Sequence, residues 1–330
     1  MDIGRGVSHV LDGEWQGRAG NSWKCDRDVN GETWLYKQID GCEIRADVYA
    51  GHGSGPRPAI VWLHGGALML GNRGMIHPGH LERYREAGYT VVAIDYRLAP
   101  ESKLPKIWSD VQDAIAWVRA EGPRLCEIDP SRLAVIGHSA GGYLTLLAGC
   151  AVQPQPQALV SFYGYGDIVG PWYSQPSPFY CQQPLVSDEE ARVVVGTMPL
   201  SGSPTRAHLG PDEPDRSRYY LYCRQRGIWP QAATGHDPIA ERAALLPFCP
   251  FAQVTADYPP TLLLHGDKDT DVPYEQSVLM GAALDANVVE HDLITIAEGE
   301  HVFDWRENDP VVDAAFNRVL EFLDRHLNPA

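Results

Sequence analysis

Ser139 is the residue whose surroundings most directly imply chemistry. It lies in Gly137-His138-Ser139-Ala140-Gly141-Gly142, after the apolar stretch Leu133-Ala134-Val135-Ile136 and before the helix-favouring run Tyr143-Leu144-Thr145-Leu146-Leu147-Ala148. A serine with a glycine two residues away on each side, between a strand and a helix, reads as a tight turn that holds the serine in a strained backbone conformation. The glycines let neighbouring backbone approach without a Cβ clash. The hydroxyl then stands at a helix N-terminus, where free amides favour developing negative charge. A chain with 32 glycines can produce such a pentapeptide by chance. The flanking strand and helix are what make it informative.

A serine hydroxyl needs a base to accept its proton and an acid to orient that base. On this scaffold the chain order is serine, acid, histidine, with both partners on loops after later strands. Asp269 lies in His265-Gly266-Asp267-Lys268-Asp269-Thr270-Asp271-Val272-Pro273, directly after the apolar run Thr261-Leu262-Leu263-Leu264. Three aspartates compete there; the distance past the strand and before Val272-Pro273 favours Asp269, with Asp271 second. His301, in Glu298-Gly299-Glu300-His301-Val302-Phe303, is the one histidine of 12 placed between the last strand and the closing helix. The oxyanion of a tetrahedral intermediate needs backbone N–H donors. His64-Gly65-Gly66-Ala67 follows a strand and can aim amides at the serine, so Gly66 and Ala67 are the expected donors, with Ala140 as the third.

The elements that must position these residues follow from the apolar pattern. Two strands with a turn at Asp40-Gly41 are expected over 33–49, and short buried strands over 59–63, 90–95, 133–136, 158–162, 261–264 and 289–296. Between them come helices over about 80–87, 110–119 (stopping at Gly122-Pro123), the stretch after Ser139, 274–284 and 311–326. Continuous apolar strands alternating with amphipathic helices argue for an α/β fold with a mostly parallel sheet covered on both faces. The interval 165–258 breaks the rhythm and is rich in proline and aromatics. It reads as an inserted cap, helical around 188–195 and 216–225, because a structureless loop of that length is implausible in a compact domain. The organisation expected is therefore a core over 1–164, a cap over 165–258 and the rest of the core over 259–330. Trp172, Tyr173, Tyr219 and Trp229 of the insertion, and Trp305 beyond His301, could line an acyl or aryl pocket. The insertion's aromatics could equally form the cap's own small core.

Taken together, His64-Gly65-Gly66, Asp95-Tyr96-Arg97-Leu98-Ala99-Pro100-Glu101 and Gly137-His138-Ser139-Ala140-Gly141-Gly142 resemble the hormone-sensitive-lipase-like branch (α/β hydrolase fold-3 type) of the α/β-hydrolase superfamily. Asp269 and His301 match that family's acid and histidine positions. The resemblance runs from about residue 59 to 303, excluding most of the insertion. It implies an α/β-hydrolase fold, a Ser139–His301–Asp269 triad and a carboxylesterase acting on short acyl chains. Related enzymes remove acetyl or feruloyl groups from polysaccharides or cleave amide bonds. Two positions depart from the pattern: Ala67 replaces a usual third glycine, and His138 a frequent aspartate. Asp95-Tyr96-Arg97 reads as a buried ion-paired brace for the loops.

Composition sets the bounds. With 330 residues, 44% hydrophobic and 21% charged, the chain is ordinary globular protein with enough length for a large core. A net charge of −16 argues against nucleic acid and anionic membrane as partners. No apolar run approaches the length of a bilayer span and no secretory signal is visible, so a cytoplasmic location is the expectation. The seven cysteines are scattered without metal-ligand spacing, and a disulfide or two fits only an oxidising compartment. The reading is a serine esterase acting on a small-molecule ester without cofactor or metal, with a homodimer possible. An amidase or peptidase with the same triad is the first alternative, and a non-catalytic binding protein on the same fold the second.

Overall fold

The central strands send alternate side chains into two apolar layers, and that alternation organises the molecule. The computed structural model describes residues 31–203, 209 and 214–328. The sequence readings that concern residues 1–30, including Cys25, lie outside the described residues. The strands are β1 (Glu32–Ile39), β2 (Cys42–Tyr49), β3 (Arg57–Leu63), β4 (Thr90–Ile94), β5 (Ile128–His138), β6 (Ala158–Phe162), β7 (Thr261–Gly266) and β8 (His291–Ile296). They form one sheet in the order β1-β2-β4-β3-β5-β6-β7-β8. β1 and β2 run antiparallel at one edge, and every pairing from β4 to β8 is parallel.

The helices are α1 (Pro78–Glu86), α2 (Leu104–Cys126), α3 (Ala140–Ala151), α4 (Pro171–Ser174), α5 (Asp188–Val193), α6 (Ser217–Arg226), α7 (Trp229–Thr234), α8 (Arg242–Leu245), α9 (Glu275–Ala286) and α10 (Pro310–Leu327). On one face of the sheet Val61, Leu63, Val135 and Leu263 pack against Val111 and Ile115 of α2, Leu144 and Leu147 of α3 and Met280 of α9. On the other face Ile60, Trp62, Ile136 and Leu264 pack against Leu81 and Tyr84 of α1 and Phe316 and Leu323 of α10. Between β6 and β7 the described chain forms α4–α8 and short 3-10 turns. Its buried Tyr165, Tyr173, Tyr180, Tyr220 and Trp229 continue the first of these two layers without a break.

Two local expectations need correction. The second long helix spans Leu104–Cys126, not 110–119 with a stop at Gly122-Pro123. Pro105 falls in its first turn, where a missing N–H costs nothing. Pro123 falls in its last turn, so it deletes one terminal bond. The helix closes when Glu127 turns to φ 52° and its N–H bonds to the Gly122 carbonyl. Asp95 and Arg97 are both buried and ion-paired, as the brace reading requires, but with two separate partners. Asp95 takes the backbone N–H and guanidinium of Arg73, whereas Arg97 grips Asp110 through Nε at 2.7 Å and Nη2 at 2.8 Å. Among the described residues no helix is long and apolar enough to cross a membrane. The six described cysteines are free thiols.

Candidate active site

Ser139 follows β5 directly and precedes α3, with φ 55° and ψ −117°. A non-glycine residue held there stores strain of about 1–3 kcal/mol, which the surroundings must over-determine. They do so by close packing. A Cβ on Gly137 would come within 2.2 Å of the Gly141 carbonyl oxygen, and one on Gly141 within 2.1 Å of the Leu63 carbonyl oxygen. The Ser139 amide donates to the Phe162 carbonyl at 2.9 Å, tying the turn to the end of β6.

The loops after β7 and β8 bring the expected partners to this serine. His301 Nε2 lies 3.1 Å from Ser139 Oγ, and His301 Nδ1 lies 2.6 Å from Asp269 Oδ2. A carboxylate only accepts, so Nδ1 carries a hydrogen and the tautomer leaves Nε2 free to accept from the serine hydroxyl. Asp269 Oδ1 accepts from the amides of Asp271 and Val272, both at 2.9 Å. His265 braces the loop from beneath, with Nε2 donating to the Val272 carbonyl at 3.0 Å and Nδ1 accepting from Ser277 at 2.7 Å. Burial pushes the Asp269 pKa up, but the charge of His301 and the hydrogen bonds from His265 and His301 outweigh it and hold the carboxyl below the usual range. Burial likewise pushes His301 down, and the Asp269, Asp271 and Asp304 carboxylates outweigh that, raising the imidazole to about 9.

Asp271, second in the sequence reading, has a different place. Its Oδ2 lies 3.6 Å from His301 Nε2, on the serine side of the ring. Its Oδ1 accepts from Tyr220 Oη at 2.6 Å and from Arg224 Nη1 at 2.7 Å, both on α6. The guanidinium of Arg224 is itself buried among aromatic faces, 4.9 Å from the ring centres of Tyr173 and Tyr180. Asp267 serves its own turn by accepting the Glu298 amide at 2.7 Å. Tyr163, which sequence reasoning did not single out, sets its ring edge-on 4.6 Å from His301 and donates to Asp304 Oδ1 at 2.7 Å.

The segment His64-Gly65-Gly66-Ala67 runs past the serine turn. A Cβ on Gly65 would meet the His138 carbonyl oxygen at 3.0 Å and Ser139 Cβ at 3.4 Å. Gly66 has φ +106° and Ala67 φ 54°, so the chain turns back on itself, with the amides of Met69 and Leu70 donating to the Gly66 carbonyl. Among the described residues the Gly66 and Ala67 amides make no hydrogen bond. Ala140 is the first residue of α3, where an amide has no partner within its own helix. Trp229 Nε1 donates to the Ala67 carbonyl at 2.9 Å and fixes the turn from the far side.

The candidate pocket residues separate into two groups. Trp229 and Tyr173 are buried and stacked at 3.9 Å, with Trp172 stacked on Tyr173 at 3.8 Å and Tyr165 edge-on to all three. They act as core of the segment between β6 and β7. Tyr219 is partly buried and parallel to Tyr222 at 6.0 Å. Trp305 is 42% exposed and edge-on to His77 at 5.0 Å.

His80, His138 and Asp304 form a cluster that sequence spacing could not reveal, because its members stand 58 and 166 residues apart. His138 Nε2 and His80 Nδ1 lie 3.3 and 3.7 Å from Asp304 Oδ2.

Comparison with known proteins finds likenesses over most of the chain. A family model described as BD-FAE matches residues 46–170, and that of the prolyl oligopeptidase family matches residues 226–330. The structure of an esterase from Thermogutta terrifontis, Est2 with butyrate bound, superposes with a TM-score of 0.62 at 21% identity over 91% of this chain and 96% of that one. An alpha/beta hydrolase superfamily protein from Enterococcus faecalis gives 0.68 at 23% identity over 90% and 99%. In sequence the chain is 29% identical over 354 aligned residues to the non-reducing polyketide synthase ausA of Emericella nidulans, covering 92% of this chain and 14% of the synthase. The chain thus spans about a seventh of the length of the curated relatives it matches.

Proposed function

We propose that the chain, which has an α/β-hydrolase fold, is an esterase-like member of that superfamily and cleaves carboxylic esters through an acyl-enzyme on Ser139. The observation that carries this is the continuous relay from Ser139 Oγ through the two nitrogens of His301 to a buried Asp269. Ser139 Oγ gives its proton to His301 Nε2 and attacks the acyl carbon. Asp269 holds the imidazole by Nδ1 and stabilises the imidazolium. The Gly66, Ala67 and Ala140 amides receive the oxyanion. His301 then protonates the leaving alcohol, the ester bond breaks, and a water that gives its proton to His301 releases the acid. No step requires a metal or cofactor.

In this reading 165–258 is a cap that selects the substrate. Its support is that α6 reaches the acid loop through Tyr220 and Arg224, α7 reaches the Ala67 turn through Trp229, and Arg216 bonds the Met69 and Ala99 carbonyls at 2.6 Å each. Trp229→Phe keeps the ring stack and removes the donor to Ala67. Leaving that carbonyl unsatisfied costs about 1–3 kcal/mol. Urea unfolding should show that loss, and kcat for ester should fall about tenfold as the turn loosens.

The polyketide synthases favour a second substrate class. An acyl group of polyketide type offered as a thioester would suit the same chemistry, since the tetrahedral step is shared and a thiolate leaves readily. Esters, N-acetylcysteamine thioesters and aryl amides of matched acyl chains from C2 to C12 would separate the readings. Fastest acylation by esters supports the first reading and fastest acylation by thioesters the second. Faster acylation by amides than by either would overturn both in favour of an amidase.

A further inference from the structure

We propose that His80, His138 and Asp304 form a buried site for one divalent ion of the zinc type. The three residues come from separate elements: His80 from α1, His138 from the end of β5, and Asp304 from the 3-10 turn Phe303–Trp305. All three are buried, and one ligand atom from each lies within 4.8 Å of the others. His138 Nε2 and His80 Nδ1 converge on the same atom, Asp304 Oδ2, at 3.3 and 3.7 Å.

These separations are longer than the 2.7–2.9 Å at which charge-assisted hydrogen bonds settle. They are the separations expected between ligands that share one ion at bond lengths of about 2.0–2.2 Å. Asp304 Oδ2 is buried and makes no hydrogen bond among the described residues. The other oxygen is already oriented: Tyr163 Oη donates to Oδ1 at 2.7 Å, the kind of outer contact that fixes a ligating carboxylate. No lysine or arginine among the described residues pairs with Asp304. A buried carboxylate requires a cation or a full set of hydrogen bonds. Two imidazoles and one carboxylate suit zinc better than calcium or magnesium, which prefer oxygen.

The ion would be structural. His138 immediately precedes Ser139 and Asp304 follows His301 by three residues, so the ion would tie α1 to both halves of the relay. The assignment is independent of the proposed function, because it stands whether or not Ser139 acts as a nucleophile.

The test uses the purified full chain, stripped with a strong chelator, reloaded with zinc chloride, desalted and assayed for metal by mass spectrometry. About one zinc per chain is expected to remain, with thermal stability rising with zinc concentration. His80→Ala and Asp304→Asn should each lose that zinc. Loading with cobalt(II) provides a readout should these variants fail to fold. Visible bands of a four-coordinate nitrogen and oxygen site are expected from the wild type. Zinc at the buffer level in the wild type, zinc kept in full by both variants, or a thiolate charge-transfer band with cobalt would each overturn the site.

Discussion

Replacing Ser139 with alanine should reduce ester turnover by about 10⁶ in kcat, the loss typical of removing a nucleophile that acts with its base as one unit. The fold should not change. Alanine and serine both carry a Cβ, so the strain at φ 55° is the same in each. The hydroxyl's partner in the structure is His301 Nε2, which stays held from its other side by Asp269. Circular dichroism and melting temperature should therefore match the wild type while initial rates collapse. A residual acceleration over water of about 10³–10⁴, attributable to amide donors and binding, is of the order seen in serine proteases that lose a triad member. Near wild-type turnover would remove Ser139 from the mechanism.

The second large effect separates two neighbouring aspartates. Asp269→Asn should lower kcat by about 10⁴, because an amide can present its N–H to Nδ1 and lock the wrong tautomer. Asp271→Asn should act mainly on the pH profile. The base works when neutral, and in the zinc-free chain the surrounding carboxylates raise His301 to about 9, so kcat/KM of that form should climb with pH through that region. Removing the Asp271 charge takes away one of those contributions. The acidic limb then moves to lower pH, toward the ordinary imidazole value near 6.5. Arg224 would lose its carboxylate partner and retain Tyr220 and the ring faces, so the variant should also be less stable. pH–rate profiles of the two variants decide the matter. A loss as deep for Asp271→Asn as for Asp269→Asn would give the orienting role to Asp271.

The parts of this molecule that could be read from sequence are those dictated by local pattern. Buried parallel strands are continuous apolar runs, and so β3 to β7 were visible, with the residues that follow them. Ser139 and Asp269 stand just past such runs and His301 just past the half-buried β8, and the structure brings the three together. Their glycine neighbours mark close backbone approach, which the 2.2 Å clash at Gly137 makes concrete. Long-range pairing was not legible. Nothing near Asp271 in sequence indicates that Arg224 and Tyr220, about 50 residues earlier, hold one of its oxygens. Nor does His80 signal Asp304. The aromatics between β6 and β7 were ambiguous for a related reason, since a pocket wall and a small core use the same residue types. Burial and the hydrogen bond to Ala67 identify Trp229 as a brace. The extent of α2 is not legible because Gly-Pro reads as a stop wherever it falls, although in a last turn it removes only one bond.

The central claim is that Ser139 is an activated nucleophile. Its most direct test is intact-protein mass spectrometry after exposure to a fluorophosphonate, followed by peptide mapping. The account predicts one adduct per chain on Ser139, blocked by prior acylation and absent from Ser139→Ala. An unmodified wild type, or an adduct of equal yield on the alanine variant, would contradict it.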